Sequence, residues 1–194
     1  MTIRLHRGDL PDISRYKGAV AVDTEAMGLD VHRDRLCVVQ LSPGDGTADV
    51  VQIPAGKQDA PNLAPNLKKL LGDKSITKIF HFARFDLAMI YNALGVMPEP
   101  VFCTRTASRL ARTYTDKHGL KDLARELLNV DMSKQQQSSD WGADTLSDAQ
   151  LAYAASDVLH LHALWGKLEA LLRREGLYSS HLTTWRAYVA ACAS

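Results

Sequence analysis

The fold is decided by the stretch Ala19-Val20-Ala21-Val22-Asp23-Thr24-Glu25-Ala26-Met27-Gly28, an apolar run that ends in two acids and a glycine. Strands seldom contain acidic residues, so two carboxylates at the end of such a run point to a specific use. Because alternate residues of a strand share a face, Asp23 and Glu25 lie on the same side of it. Carboxylates held that close repel each other unless a cation lies between them, and a hard divalent ion is the usual partner.

The runs that follow predict an antiparallel group of strands. We expect strands at 19–26, 35–42 and 48–53, with a strong Pro-Gly-Asp-Gly turn at 43–46. Three consecutive strands joined this way form a meander, which we expect at one edge of a sheet. A short strand at 3–5 precedes them.

The remainder alternates strands with helices and then becomes helical. We predict strands at 76–82 and 101–104, and helices at 61–71, 84–94, 106–112, 120–128, 147–175 and 178–191. This order is typical of an α/β protein with a mixed central sheet flanked by helices. At 194 residues without a repeat, the chain is expected to be a single domain with its core at about 19–170. The last helix is apolar on one side, as a core helix or a subunit contact would be.

Composition excludes several classes of protein. Hydrophobic residues make up 46% of the chain and charged residues 23%, as in globular proteins. No apolar run approaches the roughly 18 residues of a membrane span, and the N-terminus lacks the apolar core of a signal peptide, so we expect a cytoplasmic protein. Cys37, Cys103 and Cys192 form no C-x-x-C pair and are odd in number, which argues against disulfides and a structural zinc site.

The charge balance limits the size of an anionic partner. The chain has 23 basic and 22 acidic residues and a net charge of +1. Because affinity for long nucleic acids grows with the number of phosphates neutralised, such a chain is expected to hold a long duplex weakly. A short anionic ligand, or one held partly through metal ions, is compatible with this balance.

Two further acidic positions lie where an α/β fold places its functional sites. Asp86 begins a predicted helix directly after a strand, where it either favours the helix dipole or faces a site at the strand's end. Asp157 shares a helix face with Tyr153, four residues earlier, and Ser147 and Gln150 give that helix a capping-box start. Small residues between the two also suit a tight helix-sheet contact in which Tyr153 only packs.

The four carboxylates together favour chemistry over packing. The fold can bring Asp23, Glu25, Asp86 and Asp157 to one cleft, with the Tyr153 phenol beside them. Four carboxylates do not share a dry site without cations. Two Mg²⁺ or Mn²⁺ ions about 3.5–4 Å apart are a standard arrangement for hydrolysing a phosphodiester bond.

These residues resemble the DEDD exonuclease superfamily, and its tyrosine subclass (DEDDy) in particular. Its three motifs are matched by Asp23-Thr24-Glu25, by Phe85-Asp86 and by Tyr153-Ala154-Ala155-Ser156-Asp157. Similarity to the ribonuclease D branch covers about residues 20–170 and includes 35–41, 119–123 and 139–153. The resemblance implies a ribonuclease H-like fold and 3′-to-5′ removal of nucleotides.

A compact member of the subclass is the better match. Ribonuclease D carries helical nucleic-acid-binding domains after its nuclease domain, whereas this sequence stops at residue 194. The resemblance to the compact tyrosine-subclass enzymes therefore implies an exoribonuclease that acts on dinucleotides and other very short RNAs and assembles as a ring-shaped homo-octamer. A ribonuclease D-like exonuclease acting on longer RNA or DNA ends is the nearest alternative.

The expected roles follow the motifs. We expect Asp23, Glu25 and Asp157 to hold one metal ion, and Asp23 to bridge to a second ion that Asp86 supports. Since an unperturbed phenol titrates near pH 10, Tyr153 is expected to orient the attacking water rather than to act as a simple base.

The substrate-binding residues are expected to be Met27, Gly28, Leu29, His81 and Phe85. By the same resemblance, Leu29 wedges against the terminal base; without it, Leu29 is a plain turn residue. Met27, His81 and Phe85 are placed in the pocket of the 3′ nucleotide by position alone.

Other interpretations stay open. His160 and His162 follow Asp157 on its predicted helix and are expected to be surface or packing residues, because the histidine subclass places its histidine before the aspartate. A catalytically silent binding or scaffold subunit would usually have lost one carboxylate, and all four are present. A metal-dependent phosphatase would need a nucleophile motif that is not evident here.

Overall fold

The structure is a computed structural model that describes residues 2–56, 62–133, 135–136 and 138–193, with side chains as far as 190. One six-stranded mixed sheet forms its centre, in the order β1-β4-β3-β2-β5-β6. The strands are β1 (Thr2–Arg7), β2 (Ala19–Ala26), β3 (Leu36–Ser42), β4 (Thr47–Gln52), β5 (Thr77–Phe80) and β6 (Val101–Cys103). The predicted α/β class and mixed sheet are confirmed, and β2 has its predicted bounds.

Pairing directions divide the sheet at β2. This strand is antiparallel to β3 and parallel to β5, so it joins an antiparallel half to a parallel half. The prediction that the meander forms an edge is wrong, because β1 adds to the outer side of β4 in parallel. β1 pairs the backbone groups that β4 would leave open as an edge strand. The sequence of the short run at 3–5 does not show which strand it will pair with.

Seven helices cover the sheet in the described part of the chain. They are α1 (Pro65–Gly72), α2 (Arg84–Leu94), α3 (Thr104–Ala111), α4 (Leu120–Leu128), α5 (Asp148–Leu159), α6 (Leu161–Arg174) and α7 (Tyr178–Ala193). The helices predicted at 84–94 and 120–128 have the predicted bounds. No described helix is long and apolar enough to cross a membrane.

Two predicted helices differ from the structure. The helix predicted at 61–71 begins only at Pro65, because Ala64 has a left-handed backbone (φ 48°); Pro61 lies outside the described residues. Its first free amides are capped from far away, since the Asp9 carboxylate accepts from the Asn66 and Leu67 N–H groups at 2.8 and 2.9 Å. The helix predicted at 147–175 is broken at His160 into α5, which packs on the sheet, and α6, which packs on α3 and α4.

The two faces of the sheet carry different helices. Val20 and Val22 of β2 pack with Leu87 and Ile90 of α2 on one face. On the other face the odd positions of β2 meet α5 and α6, where Ala155 lies fully buried against the sheet. The small residues of α5 thus allow the close approach that their size predicts. The two faces therefore bring α2 and α5 to opposite sides of β2.

The last helix is packed on the molecule's own core. Trp185 and Val189 of α7 are each 7% exposed and belong to the core on the α2 face. The predicted apolar side of this helix is thus used within the subunit. Cys37 and Cys103 are buried and free, and the Cys192 side chain lies outside the described residues.

Candidate active site

The end of β2 gathers three carboxylates from two elements. Ligand oxygens of Asp23, Glu25 and Asp157 all lie within 4.8 Å of one another. Asp23 and Glu25 share the face of β2 that α5 covers, and Asp157 comes from α5 itself. This is the group for which the sequence predicts the first metal ion.

Asp86 approaches from the opposite side of the sheet. It lies in the first turn of α2, is 4% exposed, and its Oδ1 accepts a hydrogen bond of 2.7 Å from the Thr24 hydroxyl. Because Thr24 points to the α2 face, this bond draws Asp86 toward the strand that carries Asp23 and Glu25. Asp86 is outside the group of three.

Asp23 has a polar partner on the neighbouring strand. Gln40 lies directly opposite it in the β2–β3 register, and the Gln40 amide nitrogen donates to Asp23 Oδ2 at 2.7 Å. Gln40 is fully buried, and its Oε1 has no hydrogen-bond partner among the described residues. The sequence alone does not single out Gln40, because its place beside Asp23 depends on the register between β2 and β3.

The site carries more negative charge than its burial tolerates. Burial, and then the neighbouring carboxylates, hold the pKa of Asp23 well above its usual range and raise that of Glu25 to about 8. Burial also raises the pKa values of Asp86 and Asp157 to about 7, against the lowering effect of their hydrogen bonds with Thr24 and Tyr153. The carboxylates are therefore in a state that bound cations would relieve.

Tyr153 lies beside the cluster. Its phenol is near the Asp157 carboxylate one helical turn later, and the Trp141 ring packs on it with centroids 6.1 Å apart. Burial, followed by the charges of Asp157, Glu25 and Asp23, raises the pKa of Tyr153 above its ordinary value. The phenol is thus a protonated donor at neutral pH. The capping box of α5 is present, with Ser147 and Gln150 bonded to each other's backbone N–H.

The donor set suits a hard divalent cation. All the acidic ligands offer oxygen, which Mg²⁺ and Mn²⁺ prefer, and no histidine or cysteine belongs to the described group of possible ligands. None of the ion pairs formed by the described residues involves these carboxylates. The residues therefore fit the metal ions that the sequence predicts.

A short turn beside the cluster exposes apolar side chains. Met27 is 61% exposed and Leu29 is 85% exposed. The turn is fixed by Asp34, which accepts from the Asp30 N–H at 3.0 Å, while the Asp34 N–H donates to the Asp30 carbonyl at 2.7 Å. A Cβ added at Gly28 would lie 2.1 Å from the Asp34 carboxylate, so a larger residue there would have to displace the side chain that fixes the turn.

His81 lies at the end of the parallel neighbour of β2. The pairing of β2 with β5 ends at Ala21 opposite Ile79, and His81 follows the last residue of β5, Phe80. The Thr104 hydroxyl donates to the Phe80 carbonyl and therefore accepts from His81 Nδ1 at 2.9 Å, which leaves Nε2 as an acceptor. Burial, and then Arg105, lower the pKa of His81 to about 3, so the ring is neutral.

Two phenylalanines, Phe82 and Phe85, lie at the start of α2. The predicted pocket residue Phe85 is half-buried and packs against the α2 core. Phe82, which the sequence analysis missed, is 50% exposed and has a left-handed backbone (φ 64°). The Arg105 guanidinium lies 4.0 Å from the centre of its ring. Only the backbone turn brings Phe82 to the surface, and the sequence gives no signal for it.

Neither of the two histidines after Asp157 belongs to the described group of possible metal ligands. His160 is the junction between α5 and α6, and the His162 ring is hydrogen-bonded to the Ser42 carbonyl at 3.1 Å. His162 also packs against Gly44, where an added Cβ would lie 2.8 Å from its ring. For His162, the expected packing role agrees with these contacts.

Comparison with known families decides the assignment. A family model described as 3′-5′ exonuclease matches residues 11–173. The chain belongs to this family. The exonuclease is 36% identical over 162 residues to ribonuclease D of Gluconacetobacter diazotrophicus, covering 84% of this chain and 40% of the relative. It therefore spans less than half the length of the curated ribonuclease D relatives that it matches.

Solved structures extend the likeness over nearly the whole chain. The exonuclease superposes on Brucella melitensis NrnC bound to pGG with a TM-score of 0.92 and 60% identity, covering 98% of this chain and 91% of that one. It also resembles Escherichia coli ribonuclease D, with a TM-score of 0.78 and 26% identity over 91% of this chain and 45% of that one. The expected resemblance to a compact DEDD exonuclease, namely nanoRNase C (NrnC), and the ribonuclease H-like fold are thus confirmed.

Proposed function

We propose that this exonuclease hydrolyses very short oligoribonucleotides, dinucleotides above all, from the 3′ end to 5′-mononucleotides with two divalent metal ions. The observation that carries the proposal is the gathering of Asp23, Glu25 and Asp157 within 4.8 Å, with Asp86 brought in by Thr24. The structure of Brucella melitensis NrnC bound to pGG supports a short RNA substrate, and the Mg²⁺-bound structure of the same protein supports the metal.

The residues divide the chemistry among them. Asp23, Glu25 and Asp157 would hold one ion, and Asp23 with Asp86 would hold the other. When bound, two such ions lower the pKa of water and stabilise the charge that develops on the leaving oxygen. Tyr153, protonated and close to Asp157, would donate to or accept from the attacking water and so fix its direction.

The substrate-binding surface would be built from the turn and the ends of β5 and α2. Leu29, which is 85% exposed, would wedge against a base, with Met27 and Gly28 beside it. His81 and Phe85 would line the pocket of the 3′ nucleotide. The neutral His81 ring offers an acceptor at Nε2, which suits a hydrogen-bond donor of a nucleotide better than a bare phosphate.

The preferred length of the RNA substrate distinguishes this proposal from its nearest alternative. Turnover of a 5′-phosphorylated RNA dinucleotide, a heptamer and a duplex with a 3′ overhang is measured with purified protein and Mg²⁺ or Mn²⁺. We expect kcat/KM to be highest for the dinucleotide. A ribonuclease D-like enzyme would instead prefer the longer substrates, and a silent binding subunit would cleave none of them.

The assembly is tested separately. By its resemblance to compact members of the family, we propose that the chain forms a homo-octamer. Native mass spectrometry of the protein used in the turnover assay is expected to give eight copies. A monomer or dimer with full activity on dinucleotides would separate the oligomeric state from the reaction.

A further inference from the structure

Two neutral hydrogen-bond donors contact the carboxylates expected at the second metal ion. Gln40 donates to Asp23 Oδ2 at 2.7 Å, and Thr24 donates to Asp86 Oδ1 at 2.7 Å. Gln40 is 0% exposed and Thr24 is 6% exposed, so water does not compete for these bonds. Each donor comes from the central strands, and each fixes one oxygen of its carboxylate.

We propose that Gln40 and Thr24 are positioning residues that orient Asp23 and Asp86 for the second metal ion and thereby set its affinity. This inference rests on the proposed two-ion function. It goes beyond it by assigning a role to two residues that hold no metal themselves.

The second ion depends on orientation more than the first. Three carboxylates surround the position of the first ion, whereas only Asp23 and Asp86 are available to the second. If only two carboxylates bind the second ion, a rotation of either one removes half of the protein's ligands to that ion. Partners that lock the ligands of a metal site typically change its affinity by about 10- to 100-fold.

A neutral donor is suited to this task. An arginine or lysine at either place would neutralise the carboxylate and compete with the cation for it. An amide or a hydroxyl instead fixes one oxygen and leaves the negative charge for the ion. Because Gln40 uses its only donor group on Asp23, its orientation cannot reverse without placing two acceptor oxygens against each other.

The unpartnered Oε1 of Gln40 argues against a purely structural role. A buried acceptor without a hydrogen bond destabilises the fold, and a methionine of similar length would avoid that cost. On structural grounds alone, an apolar side chain would serve better at this position. The hydrogen bond to Asp23 is the interaction that glutamine makes and an apolar side chain cannot make.

The experiment is a titration of Mn²⁺ into the full-length protein, followed by calorimetry and by the electron paramagnetic resonance signal of free Mn²⁺. Wild type is compared with Gln40→Met and Thr24→Val, which remove the donors at nearly constant size, and with Thr24→Ser, which restores the hydroxyl. Gln52→Met is the matched control, because the Gln52 amide donates to the Ala143 carbonyl at 2.8 Å and touches no carboxylate of the site.

We expect two Mn²⁺ sites in the wild type, with one of them weakened about 10- to 100-fold in Gln40→Met and in Thr24→Val. Thr24→Ser and Gln52→Met should bind as the wild type does. Half-maximal cleavage of a dinucleotide should need correspondingly more Mn²⁺ in the two weakened variants, with kcat recovering at saturation. If Gln40→Met fails to fold, Gln40→Asn, whose shorter amide does not reach Asp23, replaces it.

Unchanged Mn²⁺ isotherms in both donor variants would overturn the inference, as would a loss of melting temperature with unaltered metal affinity. These results differ from a failure of the proposed function. That failure would appear in the wild type itself, as an absence of Mn²⁺-dependent cleavage of any RNA tested.

Discussion

Glu25 and Leu29 lie four residues apart, yet their surroundings differ in every respect. Glu25 is half-buried with Asp23 and Asp157 close by, whereas Leu29 is 85% exposed on a turn held by Asp34. The carboxylate cluster is built into the sheet and its two covering helices. The turn is built on the surface, where its side chains are free to meet a ligand. The proposed metal ligand and the proposed base contact thus lie on one continuous segment. A substitution at the half-buried Glu25 should disturb its surroundings more than a substitution at the exposed Leu29.

The sharpest contrast is expected from Asp157→Asn. Removing one carboxylate should lower kcat on a dinucleotide by about 10³-fold or more, because a metal ligand is worth several kcal/mol in the transition state. The melting temperature of the metal-free protein should stay level or rise, since burial already raises the pKa of Asp157 to about 7. Steady-state kinetics and thermal unfolding measure both effects.

The matched control is Asp148→Asn, the same change at the exposed start of the same helix. It should leave kcat close to that of the wild type. A large loss of activity in the control would mean that α5 as a whole, rather than its carboxylate, had been disturbed. Asp23→Asn should behave as Asp157→Asn does.

Tyr153→Phe tests whether the cluster also needs a directed donor. We expect a loss of about 10²-fold in kcat, in the range typical of a positioned proton donor or acceptor, with Mn²⁺ binding retained. Tyr91→Phe, on the exposed part of α2, serves as the control. Activity near that of the wild type, with the metal sites shown to be filled, would remove the proposed role of Tyr153.

The turn should respond in binding rather than in chemistry. Leu29→Ala is expected to raise KM for a dinucleotide about tenfold, the effect of losing roughly 1–2 kcal/mol of apolar contact, with little change in kcat. The melting temperature should not change, because the side chain is 85% exposed. Leu5→Ala, on the outermost strand, is the control, and an equal KM for both variants would refute the wedge.

The smallest effect concerns pH and metal removal. In the metal-free protein, carboxyls with pKa values of about 7 and 8 hold protons that the unfolded chain has already released, so the folded state binds more protons than the unfolded state. The free energy of unfolding should therefore fall as the pH rises from about 6.5 to 8. Buried histidines with lowered pKa values change the free energy of unfolding mainly below this pH range. Burial lowers the pKa of Lys78 to about 8, and this residue changes the free energy of unfolding mainly above the range.

Thermal unfolding in chelator, and then with Mg²⁺ or Mn²⁺, measures this effect. The cation should raise the melting temperature more at pH 8 than at pH 6.5, because it binds the ionised carboxylates. Asp157→Asn should show a shallower slope. A metal-free protein that becomes more stable over this interval would contradict the sign.

The sequence predicted best what depends on local pattern. Strand alternation placed Asp23 and Glu25 on one face, and the capping box placed the start of α5 correctly. The four-residue spacing put Tyr153 and Asp157 close together, where the Asp157 charge helps to raise the pKa of the phenol. These features need only neighbours along the chain, so a single sequence carries them.

What depends on distant partners was not predictable. No glycine or proline marks the break at His160 in the sequence. The break depends on tertiary packing, which directs α5 and α6 onto different parts of the molecule. Ala64 starts α1 late because Asp9, remote in sequence, supplies its cap. The exposed Phe82 depends on a left-handed backbone, and Gln40 acquires its meaning only opposite Asp23.

The distribution of the four carboxylates along the chain also bears on synthesis. They run from residue 23 to residue 157, and β2 needs β5, more than fifty positions later, to complete its parallel side. A nascent chain that ends before α5 carries three of the acids without Asp157 or the phenol. The cluster can therefore form only after residue 157 has left the ribosome, so a shorter nascent chain lacks the complete acidic site.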